Sequence, residues 1–274
     1  FQNLWLIFPY QKIQGKMILI QPSIFKDKYP LIWKYLNRCD EKLKGRESGK
    51  MDHKEWYAYG RNQNLDQFDQ VKIMTQVLAR QSSMVLDEND GYHFVGGGNA
   101  GGYGITLREN SGLSYRYLLG LLNSKLLDYY LQTHSSKFQN NYFSYAKRFI
   151  ENIPIKKADT KATEQIERLV DYVLFCRLQD NIADLQNIAS YFEQIINAIV
   201  YEIYLPQEIE AAGCQIIEFN PPFKSLDSFK TGLDKTKFLK NLFQEVYDKH
   251  HIVRTVLFKL DSIEEIAIIE GKSN

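Results

Sequence analysis

Between residues 160 and 204, apolar side chains recur at every third or fourth position. This spacing places them on one face of an α-helix, so it predicts a long helical region that buries that face. The helix is predicted to break near Asp180 or Ser190. Pro206 is predicted to end it, because proline has no amide hydrogen to donate within a helix.

Shorter patterns follow this helical region. Residues 226–249 and 252–269 are also predicted to be helical, and Cys214–Phe219 is predicted to be a short strand. The chain after residue 158 is therefore expected to be mostly α-helical.

The first half of the chain favours short strands. Residues 4–9 and 17–21 predict two strands, and a single helix is predicted over about 22–36, beginning at Pro22. Between Trp56 and Thr106, apolar residues alternate in short runs that are separated by turn residues. Leu113–Ser135 returns to helical spacing and predicts two helices.

Residues 141–155 are predicted to be irregular or extended. Together these patterns predict an α+β fold. A β-rich domain with mixed or antiparallel strands is expected over residues 1–157, and a mostly α domain with long helices is expected over residues 158–274.

The net charge of +1 hides a division along the chain. Residues 1–158 hold 22 Lys and Arg against 14 Asp and Glu, a net charge of +8, whereas residues 159–274 hold 12 against 19, a net charge of −7. A basic half beside an acidic half indicates that the first half meets a polyanion such as nucleic acid.

Cys39, Cys176 and Cys214 are far apart and odd in number. No Cys or His spacing in the sequence is typical of a zinc site, so no bound metal is expected. Free thiols are typical of a reducing compartment, which makes a cytoplasmic location the expectation. No run of residues approaches the roughly 18 apolar residues of a membrane span, so no membrane partner is expected.

The glycine-rich run Gly96–Gly104 is a candidate nucleotide-binding loop, but its flanks do not fit one. A P-loop ends in Gly-Lys followed by Ser or Thr, whereas this run ends in Gly-Tyr-Gly. A dinucleotide-binding loop passes straight into a helix, but Gly104–Leu107 has the pattern of another strand. Cofactor binding is therefore the least favoured of three interpretations. The other two are a flexible or tightly turning loop, and a loop that lets the backbone and Asn99 approach a nucleic-acid groove.

Asn220-Pro221-Pro222-Phe223 matches the catalytic motif of amino-methylating DNA methyltransferases. In those enzymes the asparagine holds the target amine and the aromatic ring stacks on the flipped base. The cofactor-binding loop that should precede the motif is missing from the sequence. A chance match in a loop is therefore the favoured interpretation, and catalysis is the alternative.

Five motifs between residues 56 and 155 occur in an order that points to one family. They are Trp56–Arg61, Lys72-Ile73, the glycine-rich Tyr92–Ile105, Leu118–Ser124 and Ile153–Ile155. In this order they resemble the TaqI-like C-terminal specificity domain. That domain is the target-recognition domain of type II restriction–modification enzymes that are adenine-specific DNA methyltransferases. The resemblance covers about residues 20–156.

The helical segment Ile196–Tyr204 is similar to the helix that follows such domains. It departs from their pattern by continuing as Leu205-Pro206 rather than Gly-Leu.

The resemblance implies that the chain chooses a DNA sequence and performs no chemistry itself. An adenine-N6 methyltransferase domain that uses S-adenosylmethionine is expected upstream in the same polypeptide, with or without a nuclease. Residues 1–157 would be the target-recognition domain, without a cofactor of their own. Double-stranded DNA is the expected partner.

Basic and amide side chains in the predicted loops are the candidates for DNA contact. Arginine pairs well with guanine edges, asparagine and glutamine pair with adenine edges, and lysine more often binds phosphate. The candidates are Lys50, Lys54, Arg61, Asn62, Gln63, Arg80, Gln81, Asn99, Arg108, Lys137, Asn140, Asn141, Lys147 and Arg148.

Two other functions are compatible with the sequence. An autonomous S-adenosylmethionine-dependent methyltransferase would use Gly96–Gly104 and Asn220–Phe223. A helical protein-interaction scaffold would use residues 160–270 and would respond to other proteins rather than to DNA. The charge pattern alone does not distinguish DNA from RNA.

Overall fold

The computed structural model of the chain describes residues 5–67, 69–89, 91–92, 101–179 and 182–272. It has small antiparallel sheets and many helices, so the predicted α+β class is confirmed. The described residues form two compact units, Phe1–Val71 with Glu88–His93 and Lys72–Asp87 with Phe94–Asn274. The predicted domain boundary between residues 157 and 158 stays a prediction.

The first unit begins with a hairpin of β1 (Tyr10–Ile13) and β2 (Lys16–Leu19), in which Tyr10 pairs with Leu19. Gln14 and Gly15 form its turn, both with positive φ (48° and 79°), as a two-residue hairpin turn requires. The strand predicted over residues 4–9 is wrong for the described residues 5–9, which lie outside β1, and residue 4 lies outside the described residues. Pro9 accepts a hydrogen bond from the Ile20 N–H at 2.9 Å but has no N–H to donate to the ladder.

Three helices follow the hairpin: α1 (Pro22–Lys28), α2 (Pro30–Arg38) and α3 (Asp40–Lys44). A single helix was predicted here, and the prediction is wrong at Tyr29, where φ is −134° and ψ is 54°. The ring of Pro30 disfavours helical backbone at the residue before it, so the helix ends and a new one begins.

The strands of the second unit are β3 (Lys72–Gln76), β4 (Leu78–Ala79), β5 (Val85–Asp87), β6 (Gly102–Ile105) and β7 (Phe143–Ser144). They form two antiparallel sheets, one of order β5-β3-β6 and one in which β4 pairs with β7. The register pairs Lys72 with Asp87, whose side chains form a buried ion pair at 2.5 Å.

The helices of the second unit are α4 (Tyr115–Leu122), α5 (Lys125–His134), α6 (Lys147–Ile150), α7 (Thr160–Arg177), α8 (Ala183–Tyr204), α9 (Pro206–Ala211), α10 (Gly232–Tyr247), α11 (Ile252–Lys259) and α12 (Glu264–Ile269). The two helices predicted within Leu113–Ser135 are confirmed as α4 and α5. The long helical region is confirmed as α7 and α8. α7 ends at Arg177 and α8 begins at Ala183, so the helical region breaks near Asp180, which itself lies outside the described residues. It does not break at Ser190, which lies within α8.

Two local predictions for this unit are wrong. Cys214–Phe219 is not a strand, because a carboxylate oxygen of Glu202 accepts the backbone N–H groups of Ile216 and Ile217 at 2.6 and 3.0 Å. Residues 141–155 are not irregular or extended throughout, since they contain the short helix α6, whereas the strand β7 agrees with the prediction.

The main hydrophobic core joins α4, α7 and α8. Every residue of α4 from Tyr117 to Leu122 is buried. Gly120 lets α4 approach α7 closely, because an added β-carbon would lie 2.5 Å from Cγ2 of Ile166 and 3.1 Å from Cγ2 of Val170. Within the described ranges, no helix is long and apolar enough to cross a membrane.

We expect Gly120→Ala to lower the free energy of unfolding by about 2 kcal/mol, measured by urea denaturation followed by circular dichroism. Overpacking a core costs about 1–3 kcal/mol, and alanine recovers up to about 1 kcal/mol through its higher helix propensity.

Gly232→Ala is the matched control, because Gly232 begins α10 and an added β-carbon would meet no atom within 4 Å. This variant should be as stable as the wild type or slightly more stable. Equal effects of the two substitutions would contradict the proposed close approach of α4 to α7.

Candidate nucleic-acid interface

The side chains predicted to contact DNA lie on the surface wherever the structure describes them. Asn99 is outside the described residues. The exposed residues are Lys50, Lys54, Arg61, Asn62, Gln63, Arg80, Gln81, Arg108, Lys137, Asn140, Asn141, Lys147 and Arg148. Within the described part of the chain, no cation of this set forms an ion pair with a carboxylate.

Other cations in the same half of the sequence have structural partners. Lys72 is buried against Asp87, and the guanidinium of Arg116 pairs with Asp171. The guanidinium of Arg46 donates to the backbone oxygens of Leu43, Trp56 and Ala58 at 2.7 to 2.9 Å. The structure thus separates cations that hold the fold together from cations that are available to a polyanion.

Two tyrosine hydroxyls anchor the aromatic turn Trp56–Arg61 within the first unit. The hydroxyl of Tyr57 donates to the oxygen of Ile20 at 2.7 Å, and the hydroxyl of Tyr59 donates to the oxygen of Ile7 at 2.7 Å. Burial raises the pKa of Tyr59 to about 12. Arg61, Asn62 and Gln63 leave this anchored turn as exposed residues.

A second cluster of candidates is carried by a hairpin over residues 136–144, which we call the 136–144 hairpin. The N–H of Ser144 donates to the oxygen of Ser136 at 3.0 Å, and the N–H of Phe138 donates to the oxygen of Tyr142 at 2.7 Å. Asn140 and Asn141 form the tip, with φ of 60° and 58°.

The sequence prediction missed this hairpin. An Asn-Asn pair between the apolar-rich runs Lys137-Phe138 and Tyr142-Phe143 is a turn signal that could have identified it.

Cations stack on aromatic rings along the 136–144 hairpin. The guanidinium of Arg80 lies 5.2 Å from the ring centroid of Tyr142, because β4 ends one residue before Arg80 and pairs with β7. The ammonium of Lys137 lies 5.7 Å from the ring centroid of Phe143. Such contacts orient a cation without neutralising its charge.

The base of the hairpin is fastened to α5 by Asp128. Its carboxylate accepts hydrogen bonds from the Tyr145 hydroxyl at 2.5 Å, the Ser82 N–H at 3.0 Å and the Gln132 amide at 2.9 Å. Burial raises the pKa of Asp128, and these three hydrogen bonds oppose the rise. Gln132 also donates to the oxygen of Arg80 at 3.3 Å.

Asn123 fixes the segment that follows Arg80 and Gln81. Its amide accepts from the Met84 N–H at 2.8 Å and donates to the Met84 oxygen at 2.9 Å, and it also accepts from the Ser82 hydroxyl. Asn123 belongs to the motif Leu118–Ser124, and the next residue, Ser124, caps the first turn of α5. Sequence reasoning missed Asp128, Tyr145 and Asn123 as positioning residues, because their partners are distant in sequence.

The remaining candidates of the second unit lie on two other segments. Lys147 and Arg148 are in α6, which begins three residues after β7, and the guanidinium of Arg148 stacks on Phe149. Arg108 lies in the loop between β6 and α4, where its backbone oxygen accepts from Ser111.

The two sequence motifs of the alternative functions have structural partners. The amide nitrogen of Asn220 donates to Gln165 on α7 at 2.8 Å, and the ring of Phe223 packs edge-on against Tyr172. In the described end of the glycine-rich run, Gly102–Ile105 pairs with β3 as a strand and no helix follows directly. Among the described residues, no group of three or more His, Cys, Asp or Glu could hold a metal ion.

The 136–144 hairpin and β4 thus form a small antiparallel scaffold that presents exposed cations, amides and aromatic rings. Residues 25–155 match the family model of the TaqI-like C-terminal specificity domain. The matched range includes the aromatic turn, α4, α5 and the 136–144 hairpin.

The chain is also similar to the type II restriction enzyme and methyltransferase RM.Eco57I of Escherichia coli, with 24% identity over 171 residues. The matching region covers 60% of this chain and 17% of that protein, so the chain spans less than a fifth of its relative.

We expect Asp128→Ala to lower the free energy of unfolding by about 2 kcal/mol in urea denaturation, because it leaves the Tyr145 hydroxyl and the Ser82 N–H without their acceptor. Tyr145→Phe should cost less in the Asp128→Ala background than in the wild type, since the hydroxyl has then already lost its partner.

Asp261→Ala is the control, because Asp261 belongs to an exposed ion pair with Lys272, and such pairs contribute about 0–1 kcal/mol. Strictly additive effects of Asp128→Ala and Tyr145→Phe would show that the two side chains are not coupled.

Proposed function

We propose that this chain is the DNA-reading part of a restriction–modification methyltransferase. It binds duplex DNA through its exposed cations, reads base edges in the major groove and performs no chemistry itself. The observation that carries the proposal is the set of exposed cations without carboxylate partners, interleaved with amides and rings, within a region that matches a specificity-domain family.

Each residue type has a physical role in this proposal. Lysine and arginine bind phosphate and set the register of the protein on the duplex, whereas asparagine, glutamine and arginine form hydrogen bonds to base edges. The net charge of +8 on residues 1–158 attracts the polyanion, whereas the net charge of −7 on residues 159–274 gives that half no such attraction. Residues 158–274 then act as the helical support of the reading surface.

The name of the Escherichia coli relative supports a methyltransferase as the partner of this chain. In the proposed parent enzyme, an upstream domain binds S-adenosylmethionine and methylates the N6 amine of adenine, in the cytoplasm where the DNA is accessible. The chain itself contributes target choice and helps to hold the duplex while the target base leaves the stack.

The proposal predicts salt-sensitive binding to duplex DNA, which can be measured by fluorescence anisotropy with labelled random duplex. The logarithm of the association constant should fall linearly with the logarithm of salt concentration. Arg61→Ala and Arg148→Ala should each weaken binding, and each should reduce the magnitude of the salt slope by about 1 if the side chain binds phosphate.

Lys249→Ala is the matched control, because Lys249 is an exposed cation in the acidic half of the chain. It should leave both the affinity and the slope unchanged. Absence of DNA binding at low salt by the folded wild-type chain would contradict the proposal and would favour the scaffold function instead.

A further inference from the structure

We infer that the 136–144 hairpin is the element that identifies a base pair, and that Asn140 and Asn141 make the site select an adenine–thymine pair. This inference rests on the proposed DNA-reading function. It goes further by separating one specificity element from the larger set of phosphate-binding candidates.

The shape of the hairpin suits the major groove. That groove is about 12 Å wide and admits a two-stranded β-ribbon. The hairpin stays paired up to its tip, through the bridge between Lys137 and Phe143 and the bond from the Phe138 N–H to the Tyr142 oxygen at 2.7 Å. Only residues 139–141 connect the paired residues Phe138 and Tyr142, so the connection is short and the tip is narrow.

The residue types at the tip are informative because glycine would satisfy the backbone better. Asn140 and Asn141 both have positive φ, a conformation that glycine adopts without a steric cost and asparagine tolerates. Asparagine at both positions therefore keeps the turn and adds two exposed amides that glycine would not supply. An asparagine amide can donate to N7 of adenine and accept from its N6 amine. This bidentate pattern distinguishes adenine in the major groove.

The amides of these two residues differ from other asparagine amides in the chain. Asn37 donates to the oxygen of Trp33 at 2.7 Å, Asn152 donates to the oxygen of Arg148 at 2.7 Å, and Asn123 holds Met84. Neither Asn140 nor Asn141 forms a side-chain hydrogen bond to another described residue. The two tip amides are thus available to a ligand.

The residues around the tip are aromatic and basic, as a surface that binds a polyanion requires. Phe138 and Tyr142 flank the tip and are 41% and 37% exposed, and Arg80 stacks on Tyr142. Asp128 and Tyr145 fasten the other end of the hairpin to α5. A ribbon that is anchored at its base, basic along its sides and polar at its tip can place the amides against base edges while the cations bind phosphate.

The test compares site selection by the wild-type chain and by the double variant Asn140→Gly/Asn141→Gly, using a library of randomised duplexes at low salt. Glycine retains the left-handed turn, so the variant keeps the hairpin and loses the two amides. The wild type should prefer an adenine–thymine pair over other pairs at one position or more, by about fivefold or more, and the variant should show no preference there. The salt slope on random duplex should be the same for both proteins.

Gln14→Gly is the matched control, because Gln14 is an exposed amide with positive φ in the turn of the other described hairpin, β1–β2. It should leave the selected sequences unchanged.

Each outcome has a distinct meaning. A wild-type chain that selects sequences and a double variant that selects the same ones would overturn the role of the hairpin and leave the DNA-reading function standing. A wild-type chain that binds duplex without any preference, or does not bind it, would overturn the DNA-reading function and this inference with it. Loss of the adenine–thymine preference in Asn140→Gly/Asn141→Gly, but not in Gln14→Gly, would support the inference.

Discussion

The close packing of α4 against α7 is the contact on which the second unit depends. α4 is buried from Tyr117 to Leu122, and its Gly120 leaves no room for a β-carbon against Ile166. The same helix packs on β3 and β5, so it links the sheet to the helical core. Because protein interiors are close-packed, a shift of α4 would have to move both layers.

This packing reaches the proposed reading surface through polar contacts at the end of α4. Asn123 and Ser124 follow the helix directly: Asn123 holds the backbone of Met84, and Ser124 caps α5. α5 in turn supplies Asp128, which binds Tyr145 next to β7 and Ser82 after β4. The base of the 136–144 hairpin and the segment that carries Arg80 are therefore positioned by the core and not by loop propensity.

The charged residues divide according to the cost of burial. A buried cation must be paired, because removing an isolated charge from water costs far more than a typical contact gains, and Lys72 accordingly lies against Asp87. Exposed cations have no such requirement. Those near the hairpin, such as Arg80 and Lys137, are held by aromatic rings and keep their full charge for a ligand. The positive charge of residues 1–158 therefore includes both a buried cation that stabilises the fold and exposed cations that keep their charge at the surface.

The sequence by itself determined the fold class, the helices α4, α5, α7 and α8, and the similarity to a specificity-domain family, because helical spacing and motif order are properties of neighbouring residues. The tertiary structure alone decided which polar side chains have partners within the protein and which are exposed without one. Glu202 satisfies the backbone of Ile216 and prevents a strand, and the partners of Asp128 lie up to 46 residues away in sequence. Local patterns cannot encode such pairings, since they depend on where the packed helices bring distant segments together.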